Sequence, residues 1–134
     1  MKFLLDTNIC IYLIKRQSET VIREMAKQPI GDVGLSSVTV AELQYGVTKS
    51  AQVERNRAAL EQFLAPLAVA DFDTPAAKAY GYIRALLERH GTPIGSLDTL
   101  ITAHALSLDV ILVTNNEREF GRVPGLKLAN WAVD

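Results

Sequence analysis

The sequence predicts an α/β fold, a three-layer α/β/α sandwich around a central, mainly parallel sheet of four to five strands. Three observations predict it. Short β-rich runs alternate with longer helical patterns along the chain. The runs Lys2 to Leu5 and Val110 to Val113 are almost wholly apolar, as strands covered on both faces are. No Pro/Gly/Ser linker or internal repeat breaks the alternation, so short right-handed crossovers follow. A chain of 134 residues is read as one domain over 1–134, which buries roughly two-thirds of its unfolded surface.

Lys2 to Leu5 is the first strand, and Thr7 or Asn8 caps the apolar helix after it. Glu19 to Gln28 is a short amphipathic helix with Val21, Ile22, Met25 and Ala26 on its inner side, stopped by Pro29. Val33 to Ser37 forms a second strand and Val38 to Lys49 a helix. Ala51 to Leu64 and Ala76 to His90 are the two longest helical patterns, the second with Ala76, Tyr80, Ile83 and Leu87 at helical spacing. Between them Leu67 to Phe72 is a strand candidate. Gly91 to Gly95 is a loop by composition. Leu97 to Leu108 follows as a helix whose apolar face holds Leu97, Leu100, Ile101, Ala105 and Leu108. Val110 to Val113 is the fourth strand, and Leu126 to Leu128 a fifth beside Trp131.

Apolar residues are 49% and charged residues 22% of the chain, which excludes a disordered tail, a collagenous repeat and a disulfide scaffold. The one cysteine, Cys10, lies in the apolar run Ile9-Cys10-Ile11 and reads as a buried, reduced thiol of a cytoplasmic protein. Cys10, His90 and His104 do not have the spacing of a metal site. The longest apolar stretch, Ile9 to Ile14, is far short of the roughly 20 residues that span a bilayer. Asp6 interrupts the N-terminal apolar run too early for a signal peptide, so no membrane role is expected. Fourteen Lys and Arg against fifteen Asp and Glu argue against DNA binding by bulk charge, while leaving room for a local basic rim around an acidic pocket.

In an open parallel sheet, ligands bind beyond the carboxyl ends of the strands. Asp6 follows the first strand directly, and Thr114, Asn115 and Asn116 follow the fourth, with Glu119 one turn later. Asp98 stands in the first turn of its helix, and Glu42 lies within an otherwise apolar helix. Each has a plain structural reading: Asp6 and Asp98 as helix caps, Glu42 as a solvated side chain, Asn116 and Glu119 as a capping box. Those readings leave unexplained why several acids gather on one rim. Carboxylates within about 4–5 Å repel by about 4 kcal/mol per pair at an effective dielectric near 20. A hard divalent cation relieves that repulsion, because carboxylate oxygens with retained waters suit Mg²⁺ or Mn²⁺, and such a cation can bind a phosphate oxygen and activate water.

Leu4-Leu5-Asp6-Thr7-Asn8, Ala41-Glu42-Leu43, Pro93-Ile94-Gly95-Ser96-Leu97-Asp98-Thr99-Leu100-Ile101 with Ala103-His104-Ala105-Leu106, and Leu112-Val113-Thr114-Asn115-Asn116 with Arg118-Glu119-Phe120 together resemble the PIN-domain ribonucleases. More narrowly they resemble the VapC toxins of type II toxin–antitoxin modules, nearly end to end and including the tail from Arg122 to Trp131. The resemblance implies a Mg²⁺- or Mn²⁺-dependent endoribonuclease that cuts structured RNA, a homodimer bound and occluded by a cognate VapB-type antitoxin, with no direct DNA binding without that partner. The family's first three acids match Asp6, Glu42 and Asp98. The fourth position departs from the pattern, with Asn116 followed by Glu119 where many PIN domains have an aspartate, which leaves the number of metals open. The subgroup with this tail resembles toxins that cleave initiator transfer RNA in the anticodon loop.

On this reading Asp6 and Asp98 are the metal carboxylates, Glu42 orients or deprotonates the attacking water, and Glu119 completes the acidic pocket. Thr7, Thr114 and Asn116 support them. Lys15, Arg16, Lys49 and Arg118 are candidates to position RNA, unranked. His104 lies on the apolar face of its helix and reads as a core histidine, and Trp131 and Tyr45 as core or interface residues. The alternative is a non-catalytic phospho-receiver-like or protein-binding α/β module. A receiver wants an acidic pair after the first strand and a late lysine near Thr114, and this chain has neither.

Overall fold

The apolar strand β1 (Phe3–Leu5) runs through the middle of the sheet in the computed structural model, which describes residues 1–133. It leads into α1 (Thr7–Lys15) and α2 (Glu19–Ala26), then β2 (Val33–Ser36), α3 (Ser37–Thr48) and α4 (Val53–Leu64). The second half runs β3 (Ala68–Ala70), α5 (Thr74–Arg89), α6 (Ser96–Leu108), β4 (Ile111–Val113), α7 (Glu117–Phe120) and β5 (Leu128–Ala129). The strands order β3-β2-β1-β4-β5, and every pairing is parallel. Leu5 pairs with Val113, so β1 and β4 end level with each other at the sheet's centre.

Side-chain alternation along β1 divides the core into two layers. Phe3 and Leu5 face α1 to α4, packing with Ile9, Val21, Leu43, Val47 and Leu60. Leu4 faces the opposite way, onto Ile101 and Ala105 of α6 and Phe120 of α7. Helix α5 covers α6 from outside through Ile83 and Leu87. The three layers and the five-stranded parallel sheet therefore agree with the expectation from sequence.

Most element boundaries move inward by one to three residues. Helix α1 is capped by Asp6, not by Thr7 or Asn8: Asp6 Oδ1 accepts from the Ile9 amide at 2.8 Å. Helix α4 starts at Val53, since Ala51 lies in the preceding bend, and α5 starts earlier at Thr74 because Asp73 caps it. The last strand lies one to two residues later than the sequence suggests. Leu97 leaves the predicted apolar face and is 45% exposed, because the first turn of α6 aims Thr99 inward and Leu97 outward. Ala26 is exposed as well, since α2 ends there and only Val21 is fully buried. Among the described residues no helix is long and apolar enough to cross a membrane.

Candidate active site

Because β1 and β4 stop level, the segments that leave them open a cleft of about 210 Å³ at the carboxyl edge of the sheet. Asp6, Thr7, Glu42, Asp98 and Asn116 line it. Asp6 is positioned twice. Its amide donates to the Val113 carbonyl at 3.0 Å, tying it to β4, and its carboxylate caps α1. Burial raises its pKa, while bonds from Thr114 and the Ile9 amide pull the other way and the Glu42 charge adds to the rise. Thr114 is fully buried, and its Oγ1 also accepts from the Asn116 amide at 3.0 Å, so one hydroxyl orders both Asp6 and the turn after β4.

Glu42 reaches the cleft from the middle of α3, and Thr7 Oγ1 donates to its Oε1 at 2.7 Å. Asp98 arrives from the first turn of α6. It caps nothing there: the N-cap is Gly95, and no side chain makes a capping bond. Burial, then the neighbouring Glu119 carboxylate, then Glu42 and Asp6 push the Asp98 pKa up to about 7. Glu119 moves the other way. The Gly95 amide donates to its Oε1 at 2.9 Å, Asn116 Nδ2 donates to Oε2 at 2.8 Å, and both hold it ionised against the cost of partial burial. Of this pair, Asp98 is the carboxyl pushed up and Glu119 the one pulled down.

The Asn116–Glu119 pair makes only half of the predicted capping box. Asn116 Oδ1 accepts from the Glu119 amide at 3.3 Å, but the glutamate carboxylate turns to Gly95 in place of the Asn116 amide. No sequence spacing announces that bond, which joins residues 24 positions apart. Gly95 also leaves open the ground that a β-carbon would occupy 3.4 Å from Asp98 Oδ2.

The acids share one cleft without forming a closed ligand set: among the described residues no three His, Cys, Asp or Glu side chains gather closely enough to hold a metal by themselves. Other candidates lie elsewhere. His104 is fully buried, with Nδ1 and Ser36 Oγ 2.8 Å apart and Nε2 without a partner among the described residues, and burial lowers its pKa. It is a core histidine, satisfied on one nitrogen only. Trp131 is buried edge-on to Phe3. Tyr45 is 66% exposed, with Lys49 Nζ 4.7 Å from its ring centre, and takes no part in the core. The Cys10 thiol is sealed, and burial pushes its pKa well up, so it is unreactive.

Residues 3–126 match the PIN domain. The tRNA(fMet)-specific endonuclease VapC of Salmonella typhimurium is 47% identical over 131 residues, covering 98% of each chain. The chain belongs to the VapC ribonucleases of the PIN-domain family. Among solved structures, the DNA-bound VapBC from Salmonella typhimurium superposes with a TM-score of 0.92 at 47% identity, over 98% of both chains. VapBC2 from Rickettsia felis, bound to a DNA fragment from its promoter, gives a TM-score of 0.90 at 41% identity over 98% of this chain and 99% of that one.

Proposed function

We propose that this VapC chain is the toxin of a toxin–antitoxin pair and hydrolyses a phosphodiester of structured RNA, the anticodon loop of initiator transfer RNA, with Mg²⁺ or Mn²⁺ held in the acid cleft. One observation carries the reading: Asp6, Glu42 and Asp98, from three separate elements, meet in one cleft where Asp98 is driven to about 7 with Glu119 beside it. Among the described residues no basic side chain lines that cleft to balance them. The donor set fits a hard ion that keeps several waters and takes one or two carboxylates, so the lack of a closed ligand set is no obstacle. When bound, such an ion supplies polarisation of a phosphate oxygen and acidifies water.

The chain's own residues do the rest. Asp6 and Asp98 would hold the cation, directly or through water. Glu42, with one oxygen engaged by Thr7, has the other free to orient water and accept its proton. Glu119 fixes Asp98 from behind through the anchors at Gly95 and Asn116. The substrate assignment rests on the Salmonella relative, which is a tRNA(fMet)-specific endonuclease.

The solved VapBC structures imply an antitoxin partner for this chain as well. An apolar groove of about 320 Å³ runs between α1, α3 and α4 and shares Thr7 and Glu42 with the acid cleft. An apolar segment of the partner fits it, with an Arg or Lys reaching the acids. The same reading includes a homodimer, which a monomeric mass across micromolar concentrations would contradict. Sequencing RNA ends after brief induction tests the activity and substrate together. New ends confined to the initiator anticodon loop support the proposal, and an unchanged set of ends overturns it.

A further inference from the structure

Past the apolar groove, at the other end of α1, lies a second cleft of about 590 Å³. Its rim carries Lys15, Arg16 and Arg55 with Gln52 and Asn56, and among the described residues no acid lines it. It shares Ile14, Lys15, Asn56 and Ala59 with the apolar groove, which in turn shares Thr7 and Glu42 with the acid cleft. The surface is therefore continuous from acids to cations. From Thr7 to Lys15 the nine residues of α1 separate the two ends by about 12 Å.

The plain reading of surface cations is solvation. It accounts for Lys15 and Arg16, which sit at the carboxyl end of α1 where the helix dipole favours positive charge. It does not account for Arg55. That residue is the third of α4, at the end of a helix where a cation is disfavoured, and the α4 N-terminus has no side-chain cap. Lys27, Arg57, Arg84 and Lys127 each pair with a carboxylate. Lys15, Arg16 and Arg55 form no ion pair among the described residues, and Arg55 Nη1 instead donates to Gln52 Oε1 at 3.2 Å. Three unpaired cations around one concavity repel one another, and an anion between them reconciles all three with each other and Arg55 with the dipole of its helix.

We infer that Lys15, Arg16 and Arg55 grip a backbone phosphate of the RNA, so that one end of α1 cuts the strand and the other end holds it. This deepens the nuclease reading and rests on it. Of the four basic residues singled out by sequence it selects two, Lys15 and Arg16, and adds Arg55. Lys49 is turned to Tyr45, and Arg118 is exposed on α7 and lines neither cleft.

The test uses the full chain carrying Asp6→Asn, which keeps RNA intact, and labelled initiator transfer RNA followed by fluorescence anisotropy from low to high salt. Adding Arg55→Gln is expected to weaken binding about tenfold near 0.1 M salt and to flatten the log–log salt dependence by about 0.7–0.9, because one phosphate is no longer neutralised. Arg16→Gln with Arg55→Gln flattens it further, and Arg55→Lys restores the slope. A merely structural Arg55 would lower the melting temperature and leave the slope alone. Tight RNA binding with unchanged affinity and slope in the Gln variants would overturn the phosphate grip while leaving the nuclease intact. So would loss of a co-encoded partner's binding with RNA binding untouched, since the cleft would then serve a protein. If the Asp6→Asn chain binds no RNA and the unaltered chain cuts none, the nuclease reading itself fails.

Discussion

Helix α6 carries two ionisable side chains six positions apart, and the protein treats them in opposite ways. His104 is sealed in the core, where burial depresses its pKa and so favours the neutral ring, whose Nδ1 lies 2.8 Å from Ser36 Oγ. Asp98 is only partly buried and faces Glu119, Glu42 and Asp6, and its pKa rises to about 7. A lone base in the core escapes its penalty by becoming neutral. Neighbouring acids on an open cleft instead raise one another's pKa, and the charge that remains near neutral pH is what the proposed cation would balance. Exposure alone does not distinguish a reactive cleft from a filled interior; the sign and company of the buried groups do.

The largest effect that separates the two regions should come from Asp98→Asn. Like Asp6→Asn, it is expected to abolish cleavage, by about 10³-fold or more, roughly 4 kcal/mol in the barrier. Thermal unfolding of Asp98→Asn should show a melting temperature unchanged or raised, because the amide removes like-charge repulsion. Wild-type turnover in either variant would remove that residue from the site. Glu119→Gln keeps the anchors' shape without the charge, and kinetics should show about a tenfold loss, roughly 1.4 kcal/mol, with little change in melting temperature. Full activity there would reduce Glu119 to a helix-end residue.

The core end of α6 should respond in the reverse sense. His104→Phe removes the ring nitrogen that meets the buried Ser36 Oγ, leaving that hydroxyl only the Val38 amide, and is expected to lower stability by about 1–3 kcal/mol in denaturant titration, with kcat unchanged. A large loss of kcat with unaltered stability would make His104 a participant in the chemistry.

The smallest effect is in the pH dependence of folding without metal. Asp98 binds its proton more tightly folded than unfolded, so its contribution to stability is present at acid pH and fades as pH rises from about 4 to about 7. His104 binds its proton less tightly folded, so its contribution is lost as pH falls below about 6.5. Melting temperatures from pH 4 to 7 should therefore fall less steeply, or rise, in Asp98→Asn relative to the unaltered chain. Parallel curves would show that folding does not raise the Asp98 pKa.

Much of this was legible in the residues. The apolar runs around Phe3–Leu5 and Ile111–Val113 are strands, and acids just past strand ends point to the cleft because parallel sheets put their ligand sites there. What could not be read is what depends on three-dimensional closure. Leu97 fits a helical stripe, yet the turn that aims Asp98 into the cleft sends it to solvent. The Gly95–Glu119 bond spans a loop and a helix, and the sequence offers only the local capping alternative. Arg55 looks like any charged residue on a solvated helix until the fold places it beside Lys15 and Arg16.

Whether the acid cleft holds a cation is decided by RNA cleavage by the purified chain under metal control. Cleavage of initiator transfer RNA should disappear in excess EDTA and return on adding Mg²⁺ or Mn²⁺, with monovalent salt unable to replace them. Undiminished cleavage in excess EDTA would contradict a cation there, because the four acids would then have to accept a phosphate with nothing to balance their charge.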